Sequence, residues 1–301
     1  MAMSLPRRAR IGLIGAAVCV VLLALTWYLS HYVGFIRRAD VNILLGFAQL
    51  NRPRLDQVTN FIATLCNPQK YVFLCLIPLG LAIARRRFGV AVMIAVVLLC
   101  ANETTQLLKP LLAAPRDPVW WAPIGNVSWP SGHATASMTL ALCTVIAAPP
   151  RRRPAVAAAM VAFALAVCYS FLQLGWHYPS DVFGGFLVAT AWTLLGVAGL
   201  SLYEARAVAR RATAEAAPRT SRPPATAARP SGATFSIGQA LIPMAALLVA
   251  AAVCVALVFI ARPQPVIDFA RFHEAFVVGA AAIGALGLMI ASGLTLMLRR
   301  G

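Results

Sequence analysis

Long apolar stretches recur along this chain of 301 residues, and they restrict its fold more than anything else in the sequence. They fall near 11–30, 68–84, 89–108, 132–149, 155–174, 182–203, 237–261 and 275–298. Apolar runs of about 18 residues or more read as helices that cross a bilayer. Only 12% of the residues are charged and 60% are hydrophobic, which excludes a soluble globular protein. The expected fold is all-α: a polytopic integral membrane bundle of eight spans. No small-residue cleavage site follows the first run, so it is read as a retained helix rather than a signal peptide.

The formal net charge is +17. A nucleic-acid partner is excluded, because the arginines punctuate the apolar runs instead of forming a basic face. If eight spans alternate, 17 of the Lys and Arg residues lie on one side and 9 on the other. The positive-inside rule then places both termini in the cytoplasm. The second span is short, because its clearly apolar part covers only Tyr71 to Ala84. It is expected to cross with help from Asn67–Lys70 and part of 57–66; otherwise Arg151, Arg152 and Arg153 would lie outside. Residues 31–67 suit either a helix lying in the interface or a simple connector.

Three domains are expected: a six-helix unit over 1–203, a basic disordered cytoplasmic linker over 204–236, and a transmembrane helix pair over 237–301. Gly279, Gly284 and Gly287 in the last helix suggest close helix packing. The seven cysteines form no C-x-x-C pair and read as small hydrophobes. Neither a metal nor a cofactor is implied.

Three polar clusters interrupt the apolar pattern, and ionisable groups beside hydrocarbon mark function by default. Pro130-Ser131-Gly132-His133 reads as a helix start. Free N–H groups there favour an anion, and Gly132 lets a phosphate approach the backbone. His177 and Asp181 stand four apart, so a carboxylate could hold one imidazole nitrogen and leave the other free to attack. Lys109 and Arg116 bracket a short apolar stretch and offer a point charge and a planar fork for phosphate oxygens. Singly, these clusters also suit a capped helix, an interfacial histidine and snorkelling cations. Under the charge-based topology, all three emerge on one face, where they make a phosphate pocket with a histidine nucleophile.

Lys109-x6-Arg116, Pro130-Ser131-Gly132-His133 and Ser170…His177-x3-Asp181 together resemble the three-part signature of the type-2 phosphatidic acid phosphatase superfamily. The resemblance covers about residues 60–203 and implies a six-helix membrane lipid phosphatase with a metal-free phosphohistidine mechanism. It implies His177 as nucleophile, Asp181 as its orienting partner and His133 as the acid that protonates the leaving group. Lys109, Arg116, Ser131 and Gly132 would bind the phosphate oxygens. The implied substrate is a lipid phosphate or diphosphate, of polyprenyl or phosphatidate type, held in the plasma membrane with the site on the extracytoplasmic face. Membrane lipids are the other expected partners, and the oligomeric state is open.

The chain departs from the family pattern twice. Arg116 is followed by Asp117 before Pro118, and Phe171 stands where the third motif ordinarily has arginine. Two alternatives stay open: transfer to an acceptor other than water, on which no residue reports, and a non-catalytic lipid-phosphate binder or transporter, which the missing arginine favours. Arg262 and Arg271 are candidates to replace it. Glu103 could pair with a site cation from below, Trp120, Trp121 and Trp129 read as interfacial anchors, and His31 and His273 carry no assigned role.

Overall fold

The computed structural model describes residues 5–51, 53, 56–116, 119–122, 124–216 and 236–299. Eleven α-helices follow in order: α1 Arg7–Tyr32, α2 Gly34–Gln49, α3 Asp56–Ala63, α4 Pro68–Ala84, α5 Phe88–Leu111, α6 Gly132–Ala147, α7 Arg153–Gln173, α8 Pro179–Ala216, α9 Ile237–Ala261, α10 Pro263–Phe272 and α11 Glu274–Arg299. The chain is an all-α polytopic membrane bundle, and each of the eight apolar runs forms a helix. Among the described residues, six helices (α1, α5, α7, α8, α9 and α11) are long and apolar enough to cross a membrane.

The two remaining runs show why length alone misleads. The second span is a bent pair, Asp56–Cys66 and Pro68–Ala84, broken by 64°. Segment 57–66 thus adds helical length before Pro68, and the pair has the form of a broken span or a re-entrant loop. Helix α6 has 16 residues, which at 1.5 Å each fall short of the roughly 30 Å hydrocarbon core. Every side chain from Ala134 to Ala147 is buried, and α4, α5, α7 and α8 surround the helix. Enclosed by protein, α6 has no need to match the bilayer.

Three expectations change. Residues 31–67 are more than a connector or an interfacial strip: α2 packs on α7, α8 and α11 and buries Asp40, Leu44 and Phe47. The expected disordered linker does not begin at 204, because α8 continues to Ala216. Ala and Arg are strong helix formers, so the loss of apolar periodicity there does not end the helix. The rest of that linker, 217–235, lies outside the described residues. Trp129 is no interfacial anchor; it is buried in the core, whereas Trp120 is fully exposed.

The C-terminal pair packs on the core. Helix α11 lies against α7 and α2, and the Tyr169 hydroxyl donates to the Ala280 carbonyl at 2.7 Å. A Cβ at Gly279 would come within 2.6 Å of Ile43, so this contact depends on glycine.

The bundle has two unlike ends. At one, Arg85 and Arg87 donate to the carbonyls of Ala147 and Ile146, and Arg8 and Arg153 to that of Leu298. The other end gathers the C-termini of α5 and α7 and the N-termini of α6 and α8. There α8 crosses α6 closely. A Cβ at Gly185 would lie 2.7 Å from both the Ser131 carbonyl oxygen and the Ala134 Cβ. Gly185→Ala should therefore force the two helix starts apart and cost about 1–3 kcal/mol. Thermal unfolding in detergent checks this, with a clear fall in Tm expected.

Candidate active site

Asp181 is fully buried in the first turn of α8. Its Oδ2 accepts from His177 Nδ1 and from the Tyr178 backbone N–H, both at 3.1 Å. Its Oδ1 accepts from Arg116 Nη1 at 3.0 Å, and its backbone carbonyl accepts from the Ser131 N–H at 3.0 Å. One residue therefore touches all three polar clusters. The carboxylate fixes the proton on His177 Nδ1 and leaves Nε2 unpartnered among the described residues.

The loop carrying His177 is set by the end of α7. Gly175 takes a left-handed φ of 68°. The Gly175 and Trp176 N–H groups donate to the Leu172 and Phe171 carbonyls, a glycine-terminated helix end. That reversal turns the next residues back over the bundle and brings the His177 ring within 6.3 Å of the His133 ring, centroid to centroid.

His133 lies in the first turn of α6. Its Nε2 donates to Asn67 Oδ1 at 2.8 Å, which leaves Nδ1 without a partner among the described residues. Ser131 Oγ caps the helix by accepting from the Ala134 N–H at 3.3 Å. The N–H groups of Gly132 and His133 have no partner among the described residues and suit an anion. Lys109, half-buried at the end of α5, lies within electrostatic reach of both Asp181 and His133.

Two expected phosphate ligands sit differently from the expectation. Ser131 is buried, with its N–H joining α6 to α8 through the Asp181 carbonyl and its hydroxyl capping α6. Arg116 is held between two carboxylates. Besides Asp181, it pairs through Nη2 with Asp40 and donates to Ser180 Oγ at 3.0 Å, while its guanidinium lies 4.0 Å from the Tyr178 ring centre. In this arrangement Arg116 braces the site instead of facing open space. Asp117 lies outside the described residues.

Sequence reasoning missed Asp40, Asn67 and His31. Asp40 Oδ1 accepts from the Ser180 N–H at 2.9 Å and Oδ2 from its hydroxyl at 2.6 Å, so α2 is tied to the start of α8. The signal was present: Asp40, Leu44 and Phe47 share one helical face, which places a charge at a core position. Asn67 precedes Pro68 at the helix start and gave no such signal. His31 is buried, not on the outer surface, and packs edge-on to Trp129.

Phe171 is fully buried, with its ring 5.3 Å from that of His177 and 6.0 Å from that of His133. An apolar ring thus occupies the slot beside both histidines. Arg262 and Arg271 are exposed and make no hydrogen bond or ion pair with these residues. Glu103 is exposed on α5 and pairs with no site cation among the described residues. No three His, Cys, Asp or Glu side chains converge as a metal-binding set among the described residues.

Residues 87–202 match the family model of the PAP2 superfamily. They are a PAP2-superfamily segment. It contains all three polar clusters but not Asp40 or Asn67, which reach the candidate site from outside the matched region. Among solved structures, the chain resembles the one described as the first transmembrane PAP2 type phosphatidylglycerolphosphate phosphatase from Bacillus subtilis. The TM-score is 0.52 at 19% identity, over 64% of this chain and 97% of that one, a likeness of fold. No curated protein matches the chain.

Burial pushes the Asp40 carboxyl up to about 6, against the opposing pull of Arg116 and the Ser180 hydrogen bonds. The folded chain thus holds this proton more tightly than the unfolded chain, where aspartate titrates near about 3.9. The contribution of Asp40 to stability should be greatest below about pH 4 and decline as pH rises to about 6. Tm measured against pH should show this decline, and Asp40→Asn should remove it. Arg116→Met would strand two buried carboxylates and should cost about 3–5 kcal/mol. A ligand facing open space would leave Tm nearly unchanged.

Proposed function

We propose that this protein is a membrane lipid phosphatase that works through a phosphohistidine on His177. The observation that carries this reading is the His177–Asp181 pair facing His133 across 6.3 Å, beside the free N–H groups of α6. That gap suits one phosphoryl group, with a nitrogen near attack distance on one side and a proton donor on the other. The PAP2 segment, and a fold shared with a protein described as a phosphatidylglycerolphosphate phosphatase, support the same class of chemistry.

In the proposed reaction, His177 Nε2 attacks phosphorus while the bond to the leaving oxygen breaks. His133 enters in its cationic form, keeps its Nε2–H on Asn67 and gives its Nδ1 proton to that oxygen as it departs. Asp181 stabilises the cationic imidazole that forms. Water, deprotonated by His133, then attacks phosphorus, breaks the P–N bond and releases phosphate. Lys109 and the Gly132 and His133 N–H groups offset the charge on the transferring oxygens, which is the main source of catalysis in phosphoryl transfer. The substrate is a lipid phosphate or diphosphate whose tail stays in the bilayer. By the arginine distribution, this end of the bundle faces away from the cytoplasm at the plasma membrane.

The test is phosphate release by purified protein from a panel of lipid phosphates. His177→Ala should lower turnover by about four to six orders of magnitude and leave the protein folded. Asp181→Asn should retain an intermediate rate, and chelator should have no effect. Strict dependence on a divalent ion would contradict the metal-free scheme.

Phe171 favours a second reading, a lipid-phosphate binder that does not turn over. The two readings separate on Phe171→Arg. In a phosphatase lacking one donor, a guanidinium beside both histidines should raise the rate by about 100-fold. In a binder, phosphate release should stay at background in both forms.

A further inference from the structure

At the end of the bundle opposite the histidines, a cavity of 430 Å3 opens between α1, α9 and α11, lined by Arg7, Arg8 and Arg299 with Ile11, Gly293 and Met297. Several cations here lack compensation. The Arg8 and Arg153 guanidinium groups both donate to the Leu298 carbonyl, at 3.4 and 3.2 Å. Arg8 Nε, Arg153 Nε and Arg299 Nη1 are buried with no hydrogen-bond partner among the described residues. Arg85 and Arg87 are further charged neighbours of Arg153. Among the described residues, no carboxylate forms an ion pair with Arg7, Arg8, Arg153 or Arg299. Buried, unpaired guanidinium N–H groups are costly, and an anion with several acceptor oxygens would satisfy them.

The shape of the space identifies the anion. Ile11, Gly293 and Met297 also line a second crevice, of 260 Å3, that continues into the bundle past Leu142 and Leu194. Its two threonines contribute little polarity, because the Thr190 and Thr193 hydroxyls donate to the Phe186 and Ala189 carbonyls at 2.7 and 2.8 Å. A charged cavity therefore leads into an apolar slot. A soluble anion would use only the first part, whereas a lipid fills both.

We propose that Arg7, Arg8 and Arg299 hold the phosphate of an anionic phospholipid, with one acyl chain lying in the crevice beside Gly293. The bound lipid is a phosphodiester of net negative charge, distinct from any molecule turned over at the histidines. It fills the space between α1 and the C-terminal pair, where the Arg8 hydrogen bond to the Leu298 carbonyl joins α1 to α11. This site stands whether or not the histidine end is catalytic.

The experiment is native mass spectrometry of the delipidated full chain in detergent. Phosphatidylglycerol, which has no terminal phosphate to remove, is compared with phosphatidylcholine at equal concentration. One phosphatidylglycerol should be retained in preference. The pair Arg8→Gln with Arg299→Gln should weaken retention by about 30-fold, at roughly tenfold per 1.4 kcal/mol. The pair Arg8→Lys with Arg299→Lys, which keeps the charge, should hold most of it and remain informative if the glutamine pair folds poorly. A Cβ at Gly293 meets nothing within 4 Å, so Gly293→Leu should fold and fill the slot. It should release the lipid as well, and excess inorganic phosphate should not. Equal retention of phosphatidylcholine, or unchanged retention in the glutamine pair, would overturn the proposal. Unchanged retention in Gly293→Leu, or displacement by inorganic phosphate, would reduce it to a soluble-anion site and overturn the lipid.

Discussion

Everything at the histidine end depends on one buried carboxylate. Asp181 sits in the interior and would be costly there as an unpaired ion. It is stable because His177, Arg116 and the Tyr178 N–H all donate to it, while its own carbonyl holds the Ser131 N–H. Those bonds set the imidazole tautomer, seat the first cluster and lock α8 against α6. Gly185 permits the crossing that brings them together. The geometry of the candidate site and helix packing are therefore one problem in this protein, solved at a single residue.

Arg116 extends that logic to α2. Its guanidinium spans Asp181 and Asp40, and Asp40 in turn holds Ser180. The outer helix thus becomes a wall of the site. With Arg116 so engaged and Phe171 in the usual arginine slot, few cations remain to meet a phosphate directly. In the proposed reaction, Lys109 and the N-terminal N–H groups of α6 would carry more of that task than the three-cluster pattern alone suggests. The arginines at the other end pose the same chemical demand in reverse, with donors in excess of the carboxylate of Glu204, which acts on Arg87.

Much of this was legible in the sequence, because bilayer length and helix period leave strong marks. All eight apolar runs became helices, and the short second run is preceded by the helical segment expected to lengthen it. The pairing of His177 with Asp181 followed from their i, i+4 spacing, and the cap at Ser131 from its place before α6. What escaped reading depended on tertiary contact. No local pattern says that Asn67 will meet His133 across 66 positions, or that Asp40 will meet Ser180 across 140. Arg116 resembled a phosphate ligand because sequence shows a cation near a site but not the two carboxylates that claim it. The stretch after 203 looked disordered because it lost its apolar face, yet Ala and Arg sustain a helix without one.

The most direct measurement is a rapid-quench trap of the covalent intermediate. Purified protein is mixed with a lipid phosphate carrying 32P in the transferred group and stopped in base. The mechanism predicts label on the protein that survives base, is lost in acid and maps to the peptide containing His177. Turnover that persists in His177→Ala, with no labelled protein at any quench time, would contradict it.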